Sequence, residues 1–246
     1  MAPPQKILAL HGVAQSGRVF ERRMATIVET LSPLRYEFVF LTAPCDISGT
    51  AYIQARQADW QEGDEERSWW ETDDDAKEHS GIDQAMELWG ATLREKGPFV
   101  GVVGFSQGGC AAASLAAMLE PSRRDHPLVR KYLPVDHPPL DFLIMFSGNP
   151  YRYPSPEIFW LFYPEAGEEN KVITPTLALY GKKEWEAQEF FRERQEFLMS
   201  RCSNVEIVGH PWQHTVPRTQ EYADIVKRFV TSFDNRATGM TIDSRL

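Results

Sequence analysis

Residues 104–109 read Gly-Phe-Ser-Gln-Gly-Gly, and the Ser106 hydroxyl at their centre is a candidate nucleophile. A short apolar run, Phe99–Val103, leads into it, and an alanine-rich helical pattern from Gln107 to Leu119 leads away. Gly-x-Ser-x-Gly between a strand and a helix is the layout of a nucleophile elbow, a sharp turn that lifts the serine clear of the sheet edge. Gly104 and Gly108 leave room where a Cβ would clash in so tight a turn. The helix N-terminus behind the turn offers backbone N–H groups and a positive dipole end to an oxyanion formed by attack on a carbonyl. The plainer reading is a glycine-rich turn that binds an anion, and the partners of the serine decide between the two.

A serine hydroxyl is a poor nucleophile until a base takes its proton. Of the six histidines, His214 in HPWQHTVPRTQ falls between the last strand and the last helix, at a C-terminal strand edge that can face Ser106. His210 is the alternative base. His126 and His137 lie in a Pro-rich stretch and read as solvent-facing, and His11 reads as a structural hydrogen-bonder. An acid should orient the imidazole and stabilise its cation. It should come from the loop after the fifth strand, TLALYGKKEWEAQEF, which holds no Asp. Glu184 is the first acid after Gly181, with Glu186 and Glu189 behind it. A helix N-terminus stabilised by charge would explain Glu184 and Glu186 equally well. The second oxyanion donor is expected in LHGVAQSGRVFE, where the Val13 N–H is placed to join that of Gln107. Ser16 reads as the N-cap of the helix that follows.

These residues need a scaffold that brings several strand ends together. Six apolar runs read as buried strands: Lys6–Leu10, Glu37–Leu41, Phe99–Val103, Asp141–Phe146, Thr176–Tyr180 and Asn204–Val208. Helical patterns fall near Arg18–Leu31, Ile82–Lys96, Gln107–Leu119, Trp185–Met199 and Thr219–Phe233. Strands alternating with helices predict a mostly parallel sheet covered on both faces. The order 2-1-3-4-5-6 would make the strands before Val13 and Ser106 neighbours, with their loops flanking the topological switch point. Two long connections, residues 43–80 and 147–172, leave C-terminal strand ends, the edge where such sheets bind ligands. Trp69, Trp70, Tyr151, Phe159 and Trp160 in them are candidates for an apolar pocket, and the aromatic residues of the second connection could equally complete the core.

The 246 residues, 42% of them hydrophobic, suit one domain over 1–236 with a polar tail at 237–246. A formal net charge of −9 argues against nucleic acid as a partner. Three scattered cysteines make neither a disulfide framework nor a zinc site and fit a reducing compartment. Asp73–Asp75 reads as a solvated acidic loop, and no metal or organic cofactor is expected. The start lacks a secretory layout, and no run of about 18 apolar residues predicts a membrane span. Ser244-Arg245-Leu246 resembles the peroxisomal Ser-Lys-Leu address, so the expected location is cytoplasmic or peroxisomal.

Taken in order, LALHGVAQSGRVFERR, FLTAP at 40–44, ERSWW at 66–70, VGFSQGG at 103–109, MFSGNP at 145–150 and HPWQHTVP at 210–217 resemble the small serine hydrolases called FSH. The resemblance covers most of the chain. It implies an α/β-hydrolase fold with Ser106 as nucleophile and His214 as base. The family's acid is normally an Asp three residues after the glycine that ends the fifth strand. Here that position is Glu184, a departure that touches the third member alone. GFSQGG also occurs in acyl-protein thioesterases; HTVP and the ERRMATIVETL helix favour FSH. The implied substrate is a small acyl ester or thioester, with a carrier-protein- or CoA-bound acyl chain among the options. Relatives that release polyketide chains suggest secondary-metabolite biosynthesis. An acyltransferase or cyclase using the same site, or an acyl-ligand or partner-binding module with an impaired triad, are the rival readings.

Overall fold

In a computed structural model, residues 3–49, 60–75, 77–153 and 167–234 are described. Phe159, Trp160 and the 237–246 tail with its Ser244-Arg245-Leu246 ending lie outside them. The six apolar runs form strands β1 (Gln5–Leu10), β2 (Tyr36–Leu41), β3 (Gly101–Phe105), β4 (Phe142–Phe146), β5 (Thr176–Gly181) and β6 (Val205–His210). Their spatial order is β2-β1-β3-β4-β5-β6, and every neighbouring pair is parallel. The one reversal of direction in that order lies between β1 and β3, so the loops after those two strands emerge side by side.

Alternating side chains of one strand supply two cores. Ile7 and Ala9 of β1 join Val103, Ile144 and Leu179 on one face, and Leu8 and Leu10 join Val102, Leu143 and Ala178 on the other. The first face is covered by α1 (Gly17–Leu31) through Phe20 and Ile27, and by α7 (Gln220–Thr231) through Val226 and Val230. The second is covered by α2 (Ile82–Lys96), by α3 (Gln107–Leu119) and by Leu198 and Met199 from further along the chain. Ser16 caps α1, its hydroxyl accepting from the Val19 N–H. The small residues of α3 are buried from Gly108 to Leu119, which lets this helix lie directly under the sheet centre.

Three features differ from expectation. The third strand starts at Gly101, not Phe99, and runs on through Phe105 to the serine itself. A short helix, α4 (Pro127–Tyr132), follows α3, with His126 as its half-buried N-cap. The helix expected at Trp185–Met199 is two, α5 (Lys182–Ala187) and α6 (Glu189–Ser200), because Gln188 between them is extended (φ −145°, ψ 92°). Part of the first long connection makes two small antiparallel ribbons, Cys45–Asp46 with Arg67–Ser68 and Glu71–Asp73 with Glu78–Ser80. No helix among the described residues is long and apolar enough to cross a membrane.

Candidate active site

Ser106 is held at φ 56°, ψ −120°, a backbone region that costs a non-glycine residue roughly 1–3 kcal/mol. The surroundings enforce it. The Ser106 N–H donates to the Phe146 carbonyl of β4 at 2.9 Å, and the Ser106 carbonyl accepts from the Gly109 N–H at 2.9 Å. The flanking glycines are there for space. A Cβ on Gly104 would stand 1.9 Å from the Gly108 oxygen, and one on Gly108 would stand 2.1 Å from the Leu10 oxygen. The result is a half-buried hydroxyl at the mouth of α3, in a cleft of about 220 Å³.

Val13 and Gln107 border that cleft beside Ser106. The 11–13 loop runs hard against Ser106, since a Cβ on Gly12 would come within 3.1 Å of the Ser106 Cβ. His11 fixes the loop from beneath: its Nδ1–H donates to the Gly12 carbonyl at 2.7 Å, and its Nε2 accepts from the Ala43 N–H at 2.9 Å. The Gln107 side chain grips a neighbouring strand end in both directions, Oε1 accepting from the Trp69 N–H and Nε2 donating to the Trp70 carbonyl, each at 2.8 Å. Trp69 Nε1–H in turn donates to the His11 carbonyl at 2.8 Å. Elbow, 11–13 loop and residues 69–70 are thereby one hydrogen-bonded block.

The aromatic candidates divide between core and cleft. Trp69 is fully buried and serves as a strut for the 11–13 loop rather than as a pocket wall. Tyr151 is also buried, stacked behind Trp70 with ring centroids 4.5 Å apart and its hydroxyl 2.9 Å from Ser114 Oγ. Trp70 alone of the three borders the cleft.

The imidazole arrives from the loop after β6. That loop folds tightly over the end of β5, where a Cβ on Gly181 would meet the Gln213 oxygen at 2.5 Å. His214 Nδ1 lies 2.8 Å from Glu184 Oε1, with Glu184 almost entirely buried. The other carboxylate oxygen accepts from Gln195 Nε2 at 3.1 Å. Gln195 Oε1 accepts from the Trp185 indole at 2.9 Å, and since an indole N–H only donates, this sets which end of the amide faces the carboxylate. Burial pushes the Glu184 carboxyl up, but hydrogen bonds from His214 and Gln195, with the His214 charge, hold it below the usual carboxylate range. The His214 ring packs on Phe105, the residue before Ser106, at 4.8 Å between centroids. Glu186 is exposed, whereas His210 is buried against Trp212 and Tyr222.

The far wall of the cleft was not legible from sequence patterns. It comprises Thr72 and His79 of the second ribbon, Asn149, Pro150 and Arg152 after β4, and Phe190, Phe191 and Arg194 of α6. Gln195 was missed as well: it lies eleven residues from the carboxylate it serves, and only the break at Gln188 turns it inward.

Neutral histidines, buried or half-buried, recur across the fold. His137, expected in solvent, is buried and its Nε2 accepts from the Phe99 N–H at 3.0 Å. His79 Nε2 accepts from the Arg152 and Tyr153 N–H groups, both at 3.2 Å. Burial, as the leading cause, pushes His11, His79 and His210 each down to about 4 from an ordinary 6.5. Below pH 6.5 the unfolded chain takes up protons that the folded chain refuses until about pH 4, so this stability is complete above 6.5 and drains away across that window. The melting temperature is expected to fall by roughly 5–10 °C between about pH 7.5 and 5, before most carboxylates titrate. A flat melting temperature over that interval would contradict the withdrawal of these rings from solvent.

A family model described as "Serine hydrolase (FSH1)" matches residues 1–226. A Schizosaccharomyces pombe protein named dihydrofolate reductase is 30% identical over 94% of the chain, which spans only about half of that relative, 48% of its length. The zebrafish (Danio rerio) esterase OVCA2 is 28% identical, with 93% of this chain and 99% of that protein covered. Among solved structures, acyl-protein thioesterase 2 of Zea mays superposes with a TM-score of 0.61 at 19% identity, covering 94% of each chain. At that identity the likeness speaks for the α/β-hydrolase fold alone.

Proposed function

The chain belongs to the FSH1 family of serine hydrolases, and from that premise we propose that Ser106, His214 and Glu184 are the nucleophile, base and orienting acid of an enzyme that cleaves acyl esters or thioesters. One observation carries the assignment: a buried carboxylate 2.8 Å from an imidazole that packs on the residue next to the elbow serine. Residues 1–236 act in this reading as one hydrolase domain.

His214 takes the Ser106 proton as Oγ attacks the acyl carbon. Glu184, already ionised and desolvated, stabilises the imidazolium and holds the tautomer whose Nε2 is the free base. The oxyanion falls to the Val13 and Gln107 N–H groups, fixed in advance by the His11–Trp69–Gln107 hydrogen bonds, so little reorganisation is needed during attack. Collapse breaks the bond to the leaving group; an alcohol needs the proton that His214 returns, while a thiolate leaves with less help. Water, deprotonated by His214, then releases the acid from the acyl-serine. The esterase named among the relatives supports the oxyester reading, and the same acyl-serine chemistry extends to thioesters, with acyl chains carried on CoA or a carrier protein among the proposed substrates.

Fluorophosphonate probes phosphonylate an activated serine. The folded protein is expected to gain one adduct, mapped by mass spectrometry to the peptide holding Ser106, and to turn over simple acyl oxyesters and thioesters. An adduct on another residue, or none on folded protein, would overturn the assignment.

A further inference from the structure

Glu184 meets His214 at the end of a flexible side chain that is almost entirely withdrawn from water. Unheld, such an arm samples rotamers that miss the imidazole, and a desolvated carboxylate also needs donors for both of its oxygens. Gln195 of α6 supplies the second donor. It is fully buried, and its Nε2 donates at 3.1 Å to Glu184 Oε2, the oxygen other than the one beside His214. Trp185 locks the amide in turn: its indole N–H donates to Gln195 Oε1 at 2.9 Å, and its ring stacks on Tyr180 of β5 with centroids 3.6 Å apart. Ser147, after β4, adds the weakest pull on Glu184 in the same sense, although its buried hydroxyl makes no hydrogen bond of good geometry among the described residues. Packing alone does not ask for a glutamine at 195. Leu198 and Met199 share its buried side of α6, and an apolar side chain of that volume would fill the space without burying an amide. What the amide adds is a donor aimed at a carboxylate.

Resting on the triad reading above, we infer that Gln195 is a positioning residue for the reaction: oriented by Trp185, it holds the Glu184 carboxylate aimed at His214 and acts through that carboxylate rather than on the substrate. A hydrogen bond to an ionised acceptor is stronger than one between neutral groups, so a single donor suffices to fix the arm. Its effect belongs to the transition state. Glu184 faces a neutral imidazole in the resting enzyme and an imidazolium once the serine proton has moved, and only the second needs the aimed charge.

The test is a double-mutant cycle on one chromogenic ester, with melting curves to confirm that each variant is folded. Gln195→Met keeps the volume and removes the donor. It is expected to lower kcat about ten- to a hundredfold, the range for losing a hydrogen bond to a charged group, with KM within about threefold of wild type. Introduced into Glu184→Gln protein, the same change should cost less than about threefold, because the charge it serves is already gone. A role confined to folding would give the same factor in both backgrounds. Equal factors in the two backgrounds, or a Gln195→Met enzyme within about threefold of wild type, overturn the inference. If Gln195→Met does not fold, Trp185→Phe decides: it keeps a ring on Tyr180 but frees the Gln195 amide to turn. Then kcat should fall about two- to tenfold in wild-type protein and stay level in Glu184→Gln protein, and an unchanged kcat in wild-type protein overturns the inference. The triad is read from the single change. A Glu184→Gln enzyme with wild-type kcat sinks the triad reading itself, whereas a large loss there with equal factors at 195 sinks this inference alone.

Discussion

Ser106→Ala is expected to lower kcat on the best ester by about 10⁶-fold and Glu184→Gln by about 10³–10⁴-fold, the sizes seen when serine proteases lose the nucleophile or the orienting carboxylate. The Glu184 value is the more informative. An amide at position 184 keeps the volume and can still face Gln195, yet it removes the charge that stabilises protonated His214 and permits the wrong tautomer. Glu184→Asp should fall between the two, because the shorter side chain must choose between His214 at 2.8 Å and Gln195 at 3.1 Å. Glu186→Gln, at an exposed position on the same short helix, should change kcat by less than about threefold. Steady-state kinetics on one chromogenic ester, with melting curves to confirm that each variant is folded, decides the matter. Equal effects at 184 and 186 would remove Glu184 from the mechanism.

That contrast also marks what could be read before any coordinates. The alternation in β1 and the strand–serine–helix junction report backbone geometry directly, because burial on both faces and a left-handed turn each restrict which residues are tolerated. The strands and the places of Ser106 and His214 after β3 and β6 therefore follow from local pattern, whereas the order of the strands rests on long-range pairing. Choosing among Glu184, Glu186 and Glu189 required something else, the rotational phase of α5 relative to the loop after β6. The exit from β5 at Gly181 sets that phase, and the break at Gln188 that turns Gln195 toward Glu184 is announced by no proline or glycine. The aromatic residues misled for a related reason. Composition says that Trp69 and Tyr151 are buried, but only long-range hydrogen bonds to His11 and Ser114 tell a strut from a pocket wall. Arg152 and Arg194 gave no signal, since a surface arginine and a cleft arginine look alike in sequence.

Gly108→Ala should injure the proposed oxyanion site more than its single added methyl suggests. The new Cβ would stand 2.1 Å from the Leu10 oxygen and 2.3 Å from the His11 oxygen, both backbone atoms at the end of β1. No rotamer change can relieve such contacts; α3 must back away from the strand or the 11–13 loop must lift. Either movement parts the Gln107 N–H from the Val13 N–H and strains the Trp69 indole bond to the His11 carbonyl at 2.8 Å. Overpacking of this kind costs about 1–3 kcal/mol, and more when only backbone can give way, for a melting temperature lower by roughly 5–10 °C. Losing one well-placed oxyanion donor costs a further 10²–10³-fold or so in kcat, with KM little changed, because the ground-state carbonyl needs that donor far less than the tetrahedral intermediate does. Gly12→Ala is the milder comparison. Its Cβ first meets the Phe105 ring at 2.9 Å, and a ring edge can tilt where a carbonyl cannot. If Gly108→Ala melts within about 2 °C of wild type and keeps kcat within about threefold, then the close seating of α3 on β1 is not what sets the two donors in place.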